Sequence, residues 1–287
     1  MRFCIGLGFS PLDHYLPLAR AADERGWDTI AVSDHVANPE TITSVYPYTK
    51  DGGRRWAPFT PWADPWVAIG AMAAVTERLR FTTNVYVLPM RTPFHVAKVV
   101  ATAAALSGGR VALGVGMGWM AEEFELMEQP FRARGRRADE MIDVLRKLWA
   151  GEGWVEHHGE HYDFDRLEMT PAPGHVPIYV GGLSDAALRR AARNDGWISD
   201  LHTTAELTEI CSKLQALRAD LGRSDQPFSV LASCRDAWDL DGYRRLADVG
   251  VTHLVTQPWL FYAGETDDVA ARVDGIHRFA DDVLDRY

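Results

Sequence analysis

Arg110-Val-Ala-Leu-Gly-Val-Gly-Met-Gly-Trp119, followed by Glu122-Glu123-Phe-Glu125, is the stretch on which the reading of this chain turns. Val111 to Val115 are apolar and mostly small or β-branched, the composition of a strand buried on both faces of a parallel sheet. Gly114, Gly116 and Gly118 then remove the side chains from its C-terminal end. Glycines at alternate positions leave bare backbone, open either to a flat ligand or to neighbouring segments that need the room. A dinucleotide fingerprint would require glycine where Trp119 stands. Pro130 and Gly135 delay the next helix, so none opens at once and a Rossmann turn is excluded.

Outward from this strand, strand and helix patterns alternate, which implies a parallel sheet with helices outside. Phe3–Gly8 reads as a strand, and a helix runs from Pro11 to Arg25, closed by Gly26. Asp28–Ser33 is the second strand. Residues 36–63 then break the rhythm with four prolines and the aromatics Tyr46, Tyr48, Trp56, Phe59 and Trp62, an insertion that reads as a lid or pocket wall. Asp64-Pro65 starts a helix reaching about Glu77. Arg80–Leu88 is the third strand, and Thr92-Pro93 opens a helix to Ser107. After the fourth strand a helix runs from about Arg134 to Ala150, with an apolar stripe at Ala138, Met141, Ile142, Leu145 and Trp149. Residues 151–176 form a second excursion, a short hairpin around Gly159. Pro177–Val180, Trp197–Asp200, Phe228–Ser233 and Thr252–Thr256 are further strands. Ser184–Asn194, Ala205–Leu221, Gly242–Asp248 and a last stripe from Val269 to Val283 are the helices between and after them. Eight strand–helix units are the number that closes a (β/α)8 TIM barrel, here with insertions after strands 2 and 4, as one domain over 1–287. A doubly wound open sheet is the alternative.

The totals limit the function classes. The chain has 287 residues, with 30 basic against 40 acidic side chains. That balance argues against a nucleic-acid partner, because phosphate backbones need a basic face. No stretch of about 18 uncharged apolar residues offers a membrane span. The N-terminus enters a strand without a signal-peptide pattern. Cys4, Cys211 and Cys234 are scattered and fit no metal spacing, as expected of a reduced cytoplasmic protein.

Barrel chemistry sits at the C-terminal ends of strands. The second strand ends Ser33-Asp34-His35, where an imidazole can exchange protons near neutral pH and Asp34 can orient a neighbour. Their alternative role is a local turn with His35 packed on the lid. The third strand ends Thr83-Asn84-Val85-Tyr86, and Asn84 offers an amide to a heteroaromatic edge or to its own backbone. Val180-Gly181-Gly182-Leu183-Ser184-Asp185 is strand, two glycines and a Ser N-cap, an anion site or an ordinary tight turn. Asp200, Gln257 and Trp259 are weaker lining candidates. Arg132, Arg134, Arg136 and Arg137 form either a solvated face or a hold for an anionic tail.

These residues resemble the bacterial luciferase-like flavin and deazaflavin oxidoreductases, in particular the branch that depends on coenzyme F420. The resemblance covers essentially the whole chain. It rests on Ser33-Asp34-His35, on Thr83-Asn-Val-Tyr-Val-Leu-Pro-Met-Arg-Thr-Pro93, on Gly114-Val-Gly-Met-Gly-Trp119 with Glu122-Glu123-Phe124, on Arg134-Gly-Arg-Arg-Ala-Asp-Glu-Met141 and on Pro177-Ile-Tyr-Val-Gly-Gly-Leu-Ser184. It implies a TIM barrel, usually dimeric, with a ring system across the mouth formed near Asp34, Asn84, Val85, Gly116, Met117 and Gly118. It further implies a proton role for His35 beside Asp34, a non-prolyl cis peptide at Asn84-Val85, and phosphate held by Gly181, Gly182, Leu183 and Ser184. Met120 stands where many relatives have Asn, which makes the pocket more apolar. Tyr46, Trp56, Trp62, Trp119 and Trp259 are the expected substrate walls, suited to a hydrophobic or aromatic small molecule. The implied reaction is hydride transfer to or from F420. An FMN-dependent monooxygenase using reduced flavin and oxygen is the alternative. A cofactor-free aldolase or isomerase would need a strand-end Lys or convergent carboxylates, and a flavin-holding protein without turnover is a third class.

Overall fold

The computed structural model describes residues 1–287. In chain order it contains β1 (Arg2–Gly6), α1 (Tyr15–Glu24), β2 (Thr29–Val32), α2 (Pro65–Ala73), β3 (Arg80–Thr83), β4 (Tyr86–Val87), α3 (Pro93–Ser107), β5 (Val111–Gly116), α4 (Ala121–Leu126) and α5 (Arg134–Trp149). Then follow β6 (Val155–His158), β7 (Asp163–Leu167), β8 (Ile178–Gly181), α6 (Asp185–Arg193), β9 (Gly196–His202), α7 (Thr204–Asp220), β10 (Ser229–Cys234), α8 (Leu240–Asp248), β11 (His253–Thr256) and α9 (Val269–Asp282). The parallel order β3-β2-β1-β11-β10-β9-β8-β5 is closed by pairing of β3 with β5, giving the expected TIM barrel. β6 and β7 form a separate antiparallel hairpin after the fourth unit.

Strand alternation sorts the side chains. Phe3, Ile5, Val111, Leu113, Val115, Ile178 and Val180 face outward into an apolar cluster of 56 buried residues shared with the helices. Cys4, Ala31, Ile198, Leu231 and Val255 face inward, joined by Val85 and Tyr179. The inward register of β5 is therefore Ala112, Gly114, Gly116. A Cβ at Gly114 would overlap the Thr83 carbonyl oxygen, and one at Gly116 would overlap the Val85 side chain. Part of the bare backbone is thus filled by the neighbouring strand rather than left for a ligand.

Three sequence expectations are corrected. The third strand is not continuous from Arg80 to Leu88: it breaks at Asn84-Val85, whose peptide is cis, resumes as β4, and ends in a 3₁₀ turn at Leu88–Met90. α2 stops at Ala73, short of Glu77, because the Arg110 guanidinium collects the carbonyls of Ala73, Thr76 and Leu79 and ends the helix. A helix does open soon after the glycines. α4 starts at Ala121, whose N–H donates to Ser44 Oγ from the insertion, a cap that no local pattern could announce.

Gly114→Ala should lower the unfolding free energy by about 3 kcal/mol through overpacking against the Thr83 carbonyl. Gly70→Ala in α2, where an added Cβ meets nothing within 4 Å, should raise it by up to about 1 kcal/mol. Urea unfolding followed by tryptophan fluorescence measures both.

Candidate functional site

The mouth is built from the residues just past the strand ends. Asp34 follows β2 closely but lies beneath the mouth, its side chain 1% exposed. Its oxygens accept from Arg91 Nη1 at 2.5 Å, Arg91 Nη2 at 2.8 Å and the Val87 N–H at 2.8 Å. Arg91 in turn lies 4.2 Å over the Tyr86 ring. Asp34 is therefore placed to clamp the broken third strand to the second, with both oxygens engaged.

His35 is held differently. Its Nδ1 lies 3.0 Å from Glu123 Oε2, and both side chains are nearly out of solvent. Glu123 Oε1 also accepts the N–H of Val36 at 2.5 Å and of Ala37 at 3.3 Å. Around the imidazole stand Trp62 at 4.8 Å, Trp56 at 4.9 Å and Trp119 at 6.3 Å between ring centroids. Tyr46 packs edge-on against Trp56 and Trp119, while Phe9 stacks on Trp56 and meets Trp62 edge-on. Four of the five expected wall residues thus meet in one aromatic box. Trp259 does not join them. It is buried against Gly275, with Arg272 5.0 Å from its ring, so it packs the last helix.

The insertion 36–63 is tied down by the first turn of α4. Glu122 Oε1 accepts the Thr43 N–H and hydroxyl, each at 2.6 Å, and the Ser44 N–H at 3.0 Å. Burial pushes the Glu122 carboxyl up, but these donors outweigh it and hold its pKa at about 2. Farther along, Arg55 bonds the Tyr46 hydroxyl and Asp200 near the C-terminal end of β9, closing the insertion across the barrel. Glu122 and Glu123 had no role assigned from the sequence; their place in the first helical turn, three and four residues after Trp119, was the available signal.

The opposite rim carries the glycine turn. Val85 projects between β5 and β8, so that a Cβ on Gly181 would sit 2.8 Å from its Cγ1. Val85 forms a floor, and the Asn84 amide beside it, half-exposed, makes no side-chain hydrogen bond. Past β8, Ser184 caps α6 by accepting the Ala187 N–H, and the Trp197 indole holds the Gly182 carbonyl at 2.9 Å. The N–H groups of Gly182, Leu183 and Ser184 donate to no protein atom. Asp185, the first residue of α6, is drawn to Lys213 on α7. Three free N–H groups at a helix start, beside a smooth apolar floor, fit a phosphate-bearing flat ring. Met117 is half-buried against the core, and Gly118 is packed against Phe124 and Val87 with its carbonyl on Arg134. Among the arginines before α5, Arg134 and Arg137 spend their donors on the carbonyls of Gly118, Phe131, Pro130 and Pro89.

Glu122 links this geometry to pH. Its lowered pKa stabilises the folded chain above its ordinary value of 4.5, and that contribution is lost as pH falls towards about 2. The difference in urea midpoint between wild type and Glu122→Gln should therefore be constant above about pH 5 and shrink below it. A difference that stays constant into acid would contradict the assignment.

The profile of the luciferase-like monooxygenases matches residues 6–277. An uncharacterized protein of Mycobacterium tuberculosis is 39% identical over 287 residues, covering 99% of each chain. The F420-dependent glucose-6-phosphate dehydrogenase of Nakamurella multipartita is 32% identical over 243 residues, 80% of this chain and 65% of that one. In structure, the coenzyme F420-dependent tetrahydromethanopterin reductase of Methanopyrus kandleri superposes with a TM-score of 0.76 at 15% identity, over 100% of this chain and 99% of that chain. That likeness concerns the fold. The sequence matches go further: this chain belongs to the luciferase-like monooxygenase family.

Proposed function

We propose that this protein is an oxidoreductase that transfers hydride between a small hydrophobic organic molecule and coenzyme F420 at the C-terminal mouth of its barrel, working as one barrel unit over residues 1–287. The observation that carries the reading is the free N–H nest of Gly182, Leu183 and Ser184, on the same mouth as the caged imidazole of His35. The F420-dependent relatives favour the deazaflavin; the nest would equally accept the phosphate of FMN. When bound, the deazaflavin supplies a hydride donor or acceptor.

The chain's own groups do the rest. Gly182, Leu183 and Ser184 hold phosphate; Val85, Gly116 and Gly181 give a floor without obstructing side chains, and Asn84 meets the ring edge. Tyr46, Trp56, Trp62 and Trp119 exclude water and present an apolar wall. His35 Nε2, which has no protein partner, exchanges the proton that accompanies the hydride. Asp34 supports this site from below.

The same reading places the protein in the cytoplasm, where Cys4, Cys211 and Cys234 stay reduced. No helix is long and apolar enough to cross a membrane. It also makes the working form a homodimer. α2 carries no charged residue, and Val67 on it is 75% exposed, an apolar surface that a second copy would cover.

Titrating the apoprotein with F420 and, separately, FMN should quench its tryptophans tightly with F420 and weakly with FMN; the reverse order would move the protein to the oxygen-using branch, and binding of neither would end the proposal. His35→Ala should keep cofactor affinity within a few-fold while F420 reduction by a panel of aliphatic and aromatic alcohols falls by about 10²–10⁴. Sedimentation velocity should show a dimer that Val67→Arg converts to monomer.

A further inference from the structure

We propose that Glu123 is the positioning residue of His35: it accepts a hydrogen bond from Nδ1–H, fixes the tautomer and so leaves the Nε2 lone pair facing the mouth. The proposal rests on the reading of His35 as the proton-exchanging group. Asp34, adjacent in sequence, cannot serve, because Arg91 and the Val87 N–H occupy its oxygens. Glu123 is buried, 2% exposed, and comes from α4 on the far side of the insertion. Its Oε2 meets Nδ1 at 3.0 Å. Its Oε1 takes the Val36 and Ala37 N–H groups, which holds the carboxylate in place and leaves Oε2 for His35.

Nothing else around the ring can set the tautomer. Trp56, Trp62 and Trp119 present ring surfaces, and the Trp56 N–H is directed to Asn38. The Trp62 N–H has no partner. A neutral imidazole carries one N–H, and the nitrogen that bears it is decided by the bond the other makes. With a carboxylate at Nδ1 as its only hydrogen-bond partner, the proton sits on Nδ1. A carboxylate that orients a catalytic imidazole in this way does not itself gain the proton. The same carboxylate anchors Val36 and Ala37, so the entry to the lid and the imidazole share one support.

The test uses the full-length apoprotein labelled with ¹⁵N-histidine, under conditions where His35 is neutral. Long-range ¹H–¹⁵N correlation identifies the tautomer directly, with His35→Gln giving the assignment. Wild type should show His35 protonated on Nδ1. Glu123→Gln, nearly the same shape, can keep Oε1 on the Val36 and Ala37 N–H groups while its amide donates to Nδ1. His35 should then flip to the Nε2–H form while the Val36 amide keeps its hydrogen-exchange protection. A merely structural role for Glu123 would alter protection and leave the tautomer unchanged. Wild-type His35 found as Nε2–H, or as a mobile mixture, overturns the proposal without any mutant. An unchanged tautomer in Glu123→Gln overturns it too. A flip in a protein that binds neither F420 nor FMN would sink the functional reading and leave the positioning intact.

Discussion

The architecture depends on the contact between the third and fourth barrel strands, where β3 runs so close to β5 that only glycine fits at 114. Thr83 donates its hydroxyl to the Gly114 carbonyl at 2.6 Å, locking the approach. Beyond it the third strand cannot continue in register. Asn84 and Val85 step inward, β4 re-pairs with β5 at Tyr86 and Val87, and the Val85 side chain comes to rest between Gly116 and Gly181. Val85 thereby tops the inward-facing cluster of Cys4, Ala31, Ile198, Leu231 and Val255 with one small apolar side chain. A flat floor is what glycines on two neighbouring strands and a single valine can make, and larger side chains at 116 or 181 would remove it.

That broken strand needs support, and charge adds to what the pairing of β4 with β5 supplies. Asp34 accepts both from the Val87 N–H and from Arg91, so the second and third units are fastened at the point where the ladder fails. A buried, bidentate guanidinium–carboxylate pair is costly to desolvate and costly to break, which makes it a better specifier of geometry than a source of stability. Its consequence for the site is that the acid beside His35 is already committed, and the imidazole depends on a carboxylate 88 residues away.

Much of this was legible in the sequence because it is local. Strand alternation, the Asp64 and Thr92 caps with their following prolines, and the Gly181-Gly182-Leu183-Ser184 turn all announce themselves within a few residues, and the structure has them there. What was not legible is what arrives from elsewhere. Ser44 caps α4, Arg110 terminates α2, and Glu123 reaches His35; each partner lies tens of residues away. Trp259 misled because a strand-end aromatic can turn outward as easily as inward, and Gly275 gave it a seat against α9. The three glycines of β5 and its loop misled in part, since a residue that admits a ligand also admits a neighbour, and here Thr83, Val85 and Phe124 took the space.

The insertion is bound with unequal strength along its length, and the inequality follows from burial. At its start, Glu123 and Glu122 take backbone and hydroxyl donors from residues 36–44, bonds that pin the chain itself rather than a side chain's end. At its far side the tie is Arg55 to Asp200, two side chains each about one-third exposed, where water competes and the net worth is at most about 1 kcal/mol. The indoles of Trp56 and Trp62, which follow Arg55 in the chain, pack back on His35 and carry the box. Motion that admits a substrate therefore costs least at Arg55 and most at His35. The imidazole keeps its orientation while the wall opposite it yields, which is the distribution of stiffness that proton exchange with a bulky apolar molecule requires.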